Sequence, residues 1–373
     1  MNYRETFVNI DLAAIHHNIL ELKKSAPVGS SLMAVIKGDA YGHGDVQVLK
    51  TAAAAGVEWA GVAIVREAIK VREINDKIHI LLLGYCPSGA YREIVDKKIT
   101  ITIHSLETAF LANSYASQNK IQIPVHLKLE TGMSRLGFTE SQLIEFLSNS
   151  QYFSHLKIDG ISSHLSSADE GNPDFSHRQI QKYYYLVDLI KKQFEPQWLH
   201  IVNSAGITEF SEKRGNLFRM GISMYGQMPS SHLQFPPLLK EALTFKSFII
   251  QLQDYAENTP IGYGRTFITK RQTKIATIAV GYADGYSRLL SNKGQVLIAG
   301  QRAPVIGNVC MDMIMADVTD INSVNLNDEV ILIGKQGQEF ISASEVADWI
   351  GTINYEVTSI ISKRVPRFYT DLK

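Results

Sequence analysis

A chain of 373 residues with 37 Lys and Arg against 37 Asp and Glu has a formal net charge of zero, and no basic tract disturbs that balance, so nothing points to nucleic acid or an anionic membrane surface. At 45% hydrophobic and 20% charged residues the composition is that of a globular protein, long enough for a large core and two domains. Cys86 and Cys310 make neither a disulfide framework nor a Cys-x-x-Cys metal site, no run is long enough to span a bilayer, and residues 1–7 lack the apolar core of a secretion signal; the expected compartment is the cytoplasm and no metal is expected.

In chain order, a strand at 7–10 meets Asp11 as an N-cap, and the helix that follows carries Leu12, Ile15, Ile19 and Leu22 on one face. Apolar strand candidates then recur near 32–37, 57–65, 78–84, 99–104, 121–129, 156–164, 197–203 and 216–221, mostly separated by helical patterns such as 139–147 and 179–192. Eight strand–helix repeats over about 200–250 residues are what a closed (β/α)8 TIM barrel requires, whereas open doubly wound sheets usually use fewer. The run Pro-Ser-Ser-His-Leu-Gln-Phe-Pro-Pro at 229–237 then reads as a connection. It separates an α/β barrel domain, 1–235, from a second domain, 236–373. In the latter, alternating segments at 245–252, 273–280 and 329–334, joined by turn-formers at 292–294, 326–328 and 335–337, predict a mostly-β C-terminal domain. One helix interrupts it, where Ser342-Ala-Ser-Glu345 is a capping box ahead of 346–350 and Gly351 ends the helix.

The chemistry centres on the run 31–44, where Lys37 directly follows an apolar strand and precedes Gly38, Gly42 and Gly44. In a barrel that strand end carries the active site, and an amine in low dielectric there loses proton affinity and becomes nucleophilic, suited to an aldehyde. Taken alone, such a lysine reads as a side chain carrying its ammonium to the rim, as most lysines at strand ends do. Other polar residues fall at or just beyond strand ends too: Tyr41; Lys128, Glu130 and Arg135; His164 and Asp169; Asn203 and Ser204; Arg219, Gly221 and Ile222. After strands seven and eight of the barrel, Asn203-Ser204-Ala-Gly206 and Met220-Gly221-Ile222-Ser223 offer amides and hydroxyls of the kind that bind phosphate. A reactive lysine beside a phosphate site points to pyridoxal 5′-phosphate.

The segment Val35-Ile-Lys37-Gly-Asp-Ala-Tyr41-Gly-His-Gly44 resembles the cofactor-lysine signature of the alanine racemase family, which usually has Ala where this chain has Gly38. The resemblance continues through His126-Leu-Lys-Leu-Glu-Thr-Gly-Met-Ser-Arg-Leu-Gly137, Arg219-Met-Gly-Ile-Ser-Met-Tyr-Gly226, Ile261-Gly-Tyr-Gly-Arg265, Gly281-Tyr-Ala-Asp-Gly285, Val309-Cys-Met-Asp312, Asn354-Tyr-Glu356 and Arg364-Val-Pro-Arg367. It implies a barrel plus a β domain, working as a homodimer in which each active site is completed by the partner, and interconversion of L- and D-alanine for peptidoglycan. Position by position, it makes Lys37 the cofactor lysine, and Tyr41, Ser204, Gly221, Ile222 and Tyr355 the phosphate contacts. Arg219 is the residue facing the pyridine nitrogen. Tyr263, lent by the other subunit, is the second catalytic base, supported through His164 and Arg219. Arg135 and the Met311 N–H hold the substrate carboxylate, with Asp312 supporting that loop.

The family's entrance corridor is matched by Asp169, Tyr282, Arg288, Ile353 and Tyr355, but a position that is commonly basic is Asn308 here. Lys128 matches a lysine carbamylated in some members; the alternative is an ion pair with Glu130 or another carboxylate, and density ending at a plain ammonium would exclude the carbamate. His43 has no chemical step and is read as loop packing. Three other functions fit parts of this pattern: a pyridoxal-phosphate-dependent amino acid decarboxylase, which generally presents a glutamate to the pyridine nitrogen; a non-catalytic carrier of the cofactor, built as a lone barrel; and a barrel aldolase using Lys37.

Overall fold

The structure is a computed structural model that describes residues 6–210 and 215–370; most of the opening segment, read above as lacking a secretion signal, lies outside the described residues. All eight expected barrel strands form, each shorter than its apolar run. After β1 (Phe7–Asp11) come β2 (Ser31–Val35), β3 (Trp59–Val62), β4 (His79–Leu82), β5 (Thr100–Ile103), β6 (Ile123–Lys128), β7 (Leu156–Ser162), β8 (Trp198–His200) and β9 (Leu217–Met220). They pair in parallel in the order β8-β7-β6-β5-β4-β3-β2-β9, so the first and last meet, with Met33 opposite Arg219 and Ala34 opposite Met220. The remaining seam, between β8 and β9, is bridged by Asn216: its N–H donates to the Leu199 carbonyl at 3.1 Å, and its Oδ1 accepts from the Leu199 N–H at 2.8 Å. The strands are largely apolar because helices cover their outer faces, while Met33, Trp59, Leu81 and Leu217 pack together as one buried cluster.

Helix starts follow local chemistry. Ser105 and Thr139 cap Leu106–Gln118 and Glu140–Ser148 by accepting from Thr108 N–H and Gln142 N–H. The helix expected at 179–192 runs Asp174–Ile190 instead, because Pro173 starts it a turn earlier than the apolar period suggests.

Among the described residues, the second unit holds those up to Ala14, Tyr41–Gly44, and those from Glu241 on, against the expected 1–235 and 236–373. β1 pairs with β10 (Leu243–Tyr255) and β19 (Arg367–Thr370), not with the barrel strands. Its burial alternates, with Val8 and Ile10 inside, as suits a strand covered on one face. Between lie β11 (Pro260–Ile261), β12 (Phe267–Ile268), β13 (Thr273–Ile278), β14 (Gln295–Ile298), β15 (Gln301–Ile306), β16 (Ile314–Asp317), β17 (Glu329–Gln336) and β18 (Glu339–Ile341). The main sheet runs β18-β17-β14-β15-β16-β13-β10-β1-β19, and a further pairing of β17 with β10 closes six of its strands into a ring. A register shift between Ile249 and Gln251 lets one long strand serve both sides.

Two helices, not one, interrupt the strands: Ala343–Ile350 and Asn354–Ser359. The first keeps half of its expected capping box. Ser342 Oγ accepts from Glu345 N–H at 3.0 Å, but the Glu345 carboxylate turns to Arg302, 2.6 Å away. Gly351, at φ 73°, ends the helix as expected.

Candidate active site

β2 ends at Val35, and Lys37 opens a turn unlike an ordinary helix. Gly38, Asp39, Ala40 and Tyr41 all have φ between 54° and 62°, a left-handed run that costs an L-residue about 1–2 kcal/mol per position. Such strain persists only where surroundings enforce it. Here the Ala40 N–H reaches back to the Ile36 carbonyl at 2.9 Å, and Asp39 Oδ1 accepts from Asp45 N–H, at the head of the next helix, at 3.2 Å. The Lys37 amine is held below the usual lysine range, first by burial and then by the Arg135 guanidinium; Glu67 opposes this and Arg219 adds to it.

Arg219, on β9, is 4% exposed and directs its guanidinium at acceptors from two neighbouring segments, 163–164 and 200–201. Nη1 donates to His200 Nδ1 at 2.7 Å and to the His200 carbonyl at 3.1 Å. Nη2 donates to the carbonyls of Ser163 (2.8 Å) and Ile201 (2.9 Å) and to His164 Nδ1 at 3.0 Å. Because guanidinium only donates, both imidazoles must accept at Nδ1 and carry their protons on Nε2. His200 Nε2–H therefore donates to His126 Nδ1, 2.8 Å away, and His126 in turn carries its proton on Nε2, which is buried without a hydrogen-bond partner beside the Trp59 ring at 5.3 Å. Burial, then Arg219, holds all three histidines below their ordinary range, His126 down to about 3. They are neutral acceptors, which leaves the positive charge on Arg219.

Gly160 makes room for this chain, since a Cβ there would sit 2.6 Å from His126 ring atoms. Gly160→Ala is expected to cost about 1–3 kcal/mol by overpacking; urea unfolding checks it, and an unchanged midpoint would mean the imidazole is free to move aside.

Lys128, at the end of β6, is pushed well below the lysine range by burial, then by Arg219 and Arg135. The ion pair with Glu130 considered from sequence does not form. Glu130 instead turns its oxygens on the N–H groups of Gly132 and Ser134, the latter at 2.8 Å, fixing the turn that leads to exposed Arg135.

Beyond β8, Asn203 Oδ1 accepts from Gly206 N–H at 3.0 Å, and Ser204 Oγ accepts from Gly221 N–H at 2.8 Å, so the loops after β8 and β9 meet. The next hydroxyl, Ser223 Oγ, is buried and has no partner. Amides, a capping hydroxyl and an orphaned hydroxyl, in a unit that also carries a depressed lysine amine, fit a phosphorylated aldehyde.

In the second unit, Tyr263 stands between β11 and β12, flanked by Gly262 and Gly264 at φ 69° and 73°, and is 73% exposed. Asn308 Nδ2 donates to the Tyr263 carbonyl at 2.7 Å, so the residue that departs from the usual corridor is an anchor for this tyrosine. Met311 is also exposed, on a loop held at both edges. Tyr282 N–H and Ala283 N–H donate to the carbonyls of Cys310 and Met311, each at 3.0 Å. Arg364 donates from Nε to Asp284 Oδ1 at 2.8 Å and from Nη2 to Asp312 Oδ1 at 2.6 Å. Asp284 is fully buried and also accepts from Gly281 N–H, so the Arg364–Asp312 pair ties the loop to a fixed point. Tyr41 and Tyr355 lie together, ring centroids 6.2 Å apart. His43 is buried, its Nδ1 3.1 Å from the Tyr41 carbonyl, as suits loop packing.

A family model for the alanine racemase N-terminal domain matches residues 10–229, and one for the alanine racemase C-terminal domain matches 242–369. The chain belongs to the alanine racemase family. It is 40% identical over 367 residues to the alanine racemase of Halothermothrix orenii, covering 98% of this chain and 97% of that protein, and 39% identical over 374 residues to that of Geobacter sulfurreducens, covering 99% and 98%. Among solved structures, the Bacillus anthracis alanine racemase with bound L-Ala-P superimposes with a TM-score of 0.94 at 33% identity, covering 100% of this chain and 96% of that one. The Bartonella henselae enzyme with covalently bound pyridoxal phosphate gives 0.90 at 28% identity, covering 98% and 99%.

Membership of this family, with its C-terminal domain matched, removes the lone-barrel carrier. Of the residues singled out from sequence, the barrel unit gathers Lys37, Lys128, Arg135, His164 and Arg219 into one electrostatically coupled group and joins Ser204 to Gly221. The second unit carries Tyr263 and the Met311 loop, and pairs Tyr41 with Tyr355. Sequence reasoning missed His126 and His200, because a histidine inside an apolar strand reads as core. It also assigned no role to Glu67, Asp284 and Arg364, although the last two lay in quoted motifs.

Proposed function

We propose that the chain interconverts L- and D-alanine by moving the α-proton between two bases on opposite faces of the bound amino acid, Lys37 on one and Tyr263 of a second protomer on the other. Pyridoxal 5′-phosphate, when bound, supplies the aldehyde that joins the substrate amine and a ring that draws charge from Cα. Lys37 would hold it through its amine, Tyr41, Ser204, Gly221, Ile222 and Tyr355 would hold its phosphate, and Arg219 would donate to its ring nitrogen. Arg219 is the observation that carries racemisation over decarboxylation. A guanidinium keeps its proton to a pKa above about 12, so it donates a hydrogen bond without protonating the ring. Arg219 would thereby leave the ring nitrogen unprotonated and limit how far the ring draws charge from Cα, which favours return of a proton to that carbon.

A free tyrosine titrates near 10, so as a base Tyr263 needs its anion stabilised. His164 is suited to this: accepting from Arg219 at Nδ1, it has its Nε2–H left to donate to the phenolate of the partner's tyrosine. Arg135 and the Met311 N–H would orient the substrate carboxylate. Lys128, its proton affinity lowered by burial and by Arg219 and Arg135, fits the carbamate that the family resemblance implies: its neutral amine would add to carbon dioxide, lose a proton, and present a carboxylate to Arg135.

The homodimer follows from this reading, since the second base must come from another copy. Cytoplasmic placement, with D-alanine supplied to peptidoglycan, is favoured by two free thiols; among the described residues no helix is long and apolar enough to cross a membrane. Incubation with L-alanine should carry optical rotation to zero without carbon dioxide release. Constant rotation, or gas evolution, would contradict the proposal.

A further inference from the structure

Glu67 belongs to no motif, yet its carboxylate connects two elements of the barrel unit. As the third residue of the helix Val65–Ile74, it accepts through Oε2 from the N–H groups of Ala63 at 2.8 Å and Ile64 at 3.3 Å, an ordinary helix-start cap. Oε1 leaves that helix and accepts from Gly38 N–H at 2.7 Å. Gly38 is the residue after Lys37 and the first of the left-handed run. A run of this kind relaxes unless its ends are pinned, and this bond pins the end nearest the amine.

We propose that Glu67 is a positioning residue for the Lys37 amine: its two oxygens tie the strained turn after Lys37 to the start of the neighbouring helix, and its charge opposes the guanidinium groups that face the amine. The inference rests on the reading of Lys37 as the cofactor-bearing lysine. The groups that act on Lys37 are Arg135, Arg219 and Glu67, with His164 coupled to it as well, and of these Glu67 favours the ammonium form. Removing its charge therefore lets Lys37 lose its proton at lower pH.

The test is the rate at which the full chain, stripped of cofactor with hydroxylamine, takes up pyridoxal 5′-phosphate as a function of pH, followed by visible absorbance. In the parent protein the rate rises as Lys37 deprotonates. Glu67→Gln preserves side-chain length and removes the charge, and should move the midpoint down by about one pH unit. Glu67→Asp keeps the charge but loses reach, so its midpoint should stay near the parent's while uptake slows by roughly tenfold or more. A purely structural role would lower the thermal midpoint of both variants without moving the pH midpoint of Glu67→Gln, and that result overturns the inference. Lys37→Ala run alongside separates the two failures. If it takes up cofactor with the parent's pH profile, the reading of Lys37 falls; if it takes up none and Glu67→Gln still matches the parent, the inference alone falls.

Discussion

Lys37→Ala is expected to purify without the visible absorbance of bound cofactor and to racemise alanine on the order of 10⁴-fold more slowly or worse. The size of the effect reflects two roles in one amine, as tether and as base on one face of the substrate. Burial and Arg135 hold Lys37 below the usual lysine range, which raises the fraction of neutral, nucleophilic amine near neutral pH. Lys128 does not substitute for it. Although Lys128 is depressed as well, it sits on β6, and Lys37 opens the strained turn after β2. The variant should keep its fold, because replacing a half-buried amine by a methyl leaves the bonds of Asp39, Ala40 and Gly38 in place. Retained colour would show that another side chain carries the aldehyde.

Tyr263→Phe should keep the absorbance of the parent and lose the two directions unequally. Removing one of two general bases costs about 10²–10⁴-fold in the step that base performs. In deuterated water, exchange of the α-proton from one enantiomer should fall by that factor, while exchange from the other, handled by Lys37, falls far less. Tyr263 is exposed on its own protomer and anchored through its backbone by Asn308, so the loss of one hydroxyl should leave the hairpin intact. Mixing Lys37→Ala with Tyr263→Phe provides a second reading of the same variant. If each site draws its bases from two protomers, a mixed dimer contains one site with both, and activity returns to a fraction of the parent's. Equal losses for both enantiomers, together with no recovery on mixing, would refute the two-base, shared-site arrangement.

The barrel could be read from the chain because each strand lies in a short, largely apolar run between helical periods, a pattern that depends only on neighbours in sequence. β1 could not be placed that way. Its partners lie more than 200 residues away in β10 and β19, and an alternating five-residue strand fits either unit. The capping box at Ser342 was half right for a similar reason, since Arg302, distant in sequence, claims the Glu345 carboxylate. In the site, Lys37 was visible from its place after an apolar strand and before three glycines, but the left-handed conformation of Asp39, Ala40 and Tyr41 runs against every local preference. Strain of that kind comes from tertiary contacts, so it appears only once Asp45 and Glu67 are seen to hold it. The relay from Arg219 through His200 to His126 is hidden because neutral, buried imidazoles have the sequence appearance of core.

The measurement that bears most directly on the account is borohydride reduction of the cofactor-loaded protein followed by proteolysis and mass spectrometry of the labelled peptide. The pyridoxyl group should be found on Lys37. Its attachment to Lys128, or to any other lysine, would contradict the account at its centre.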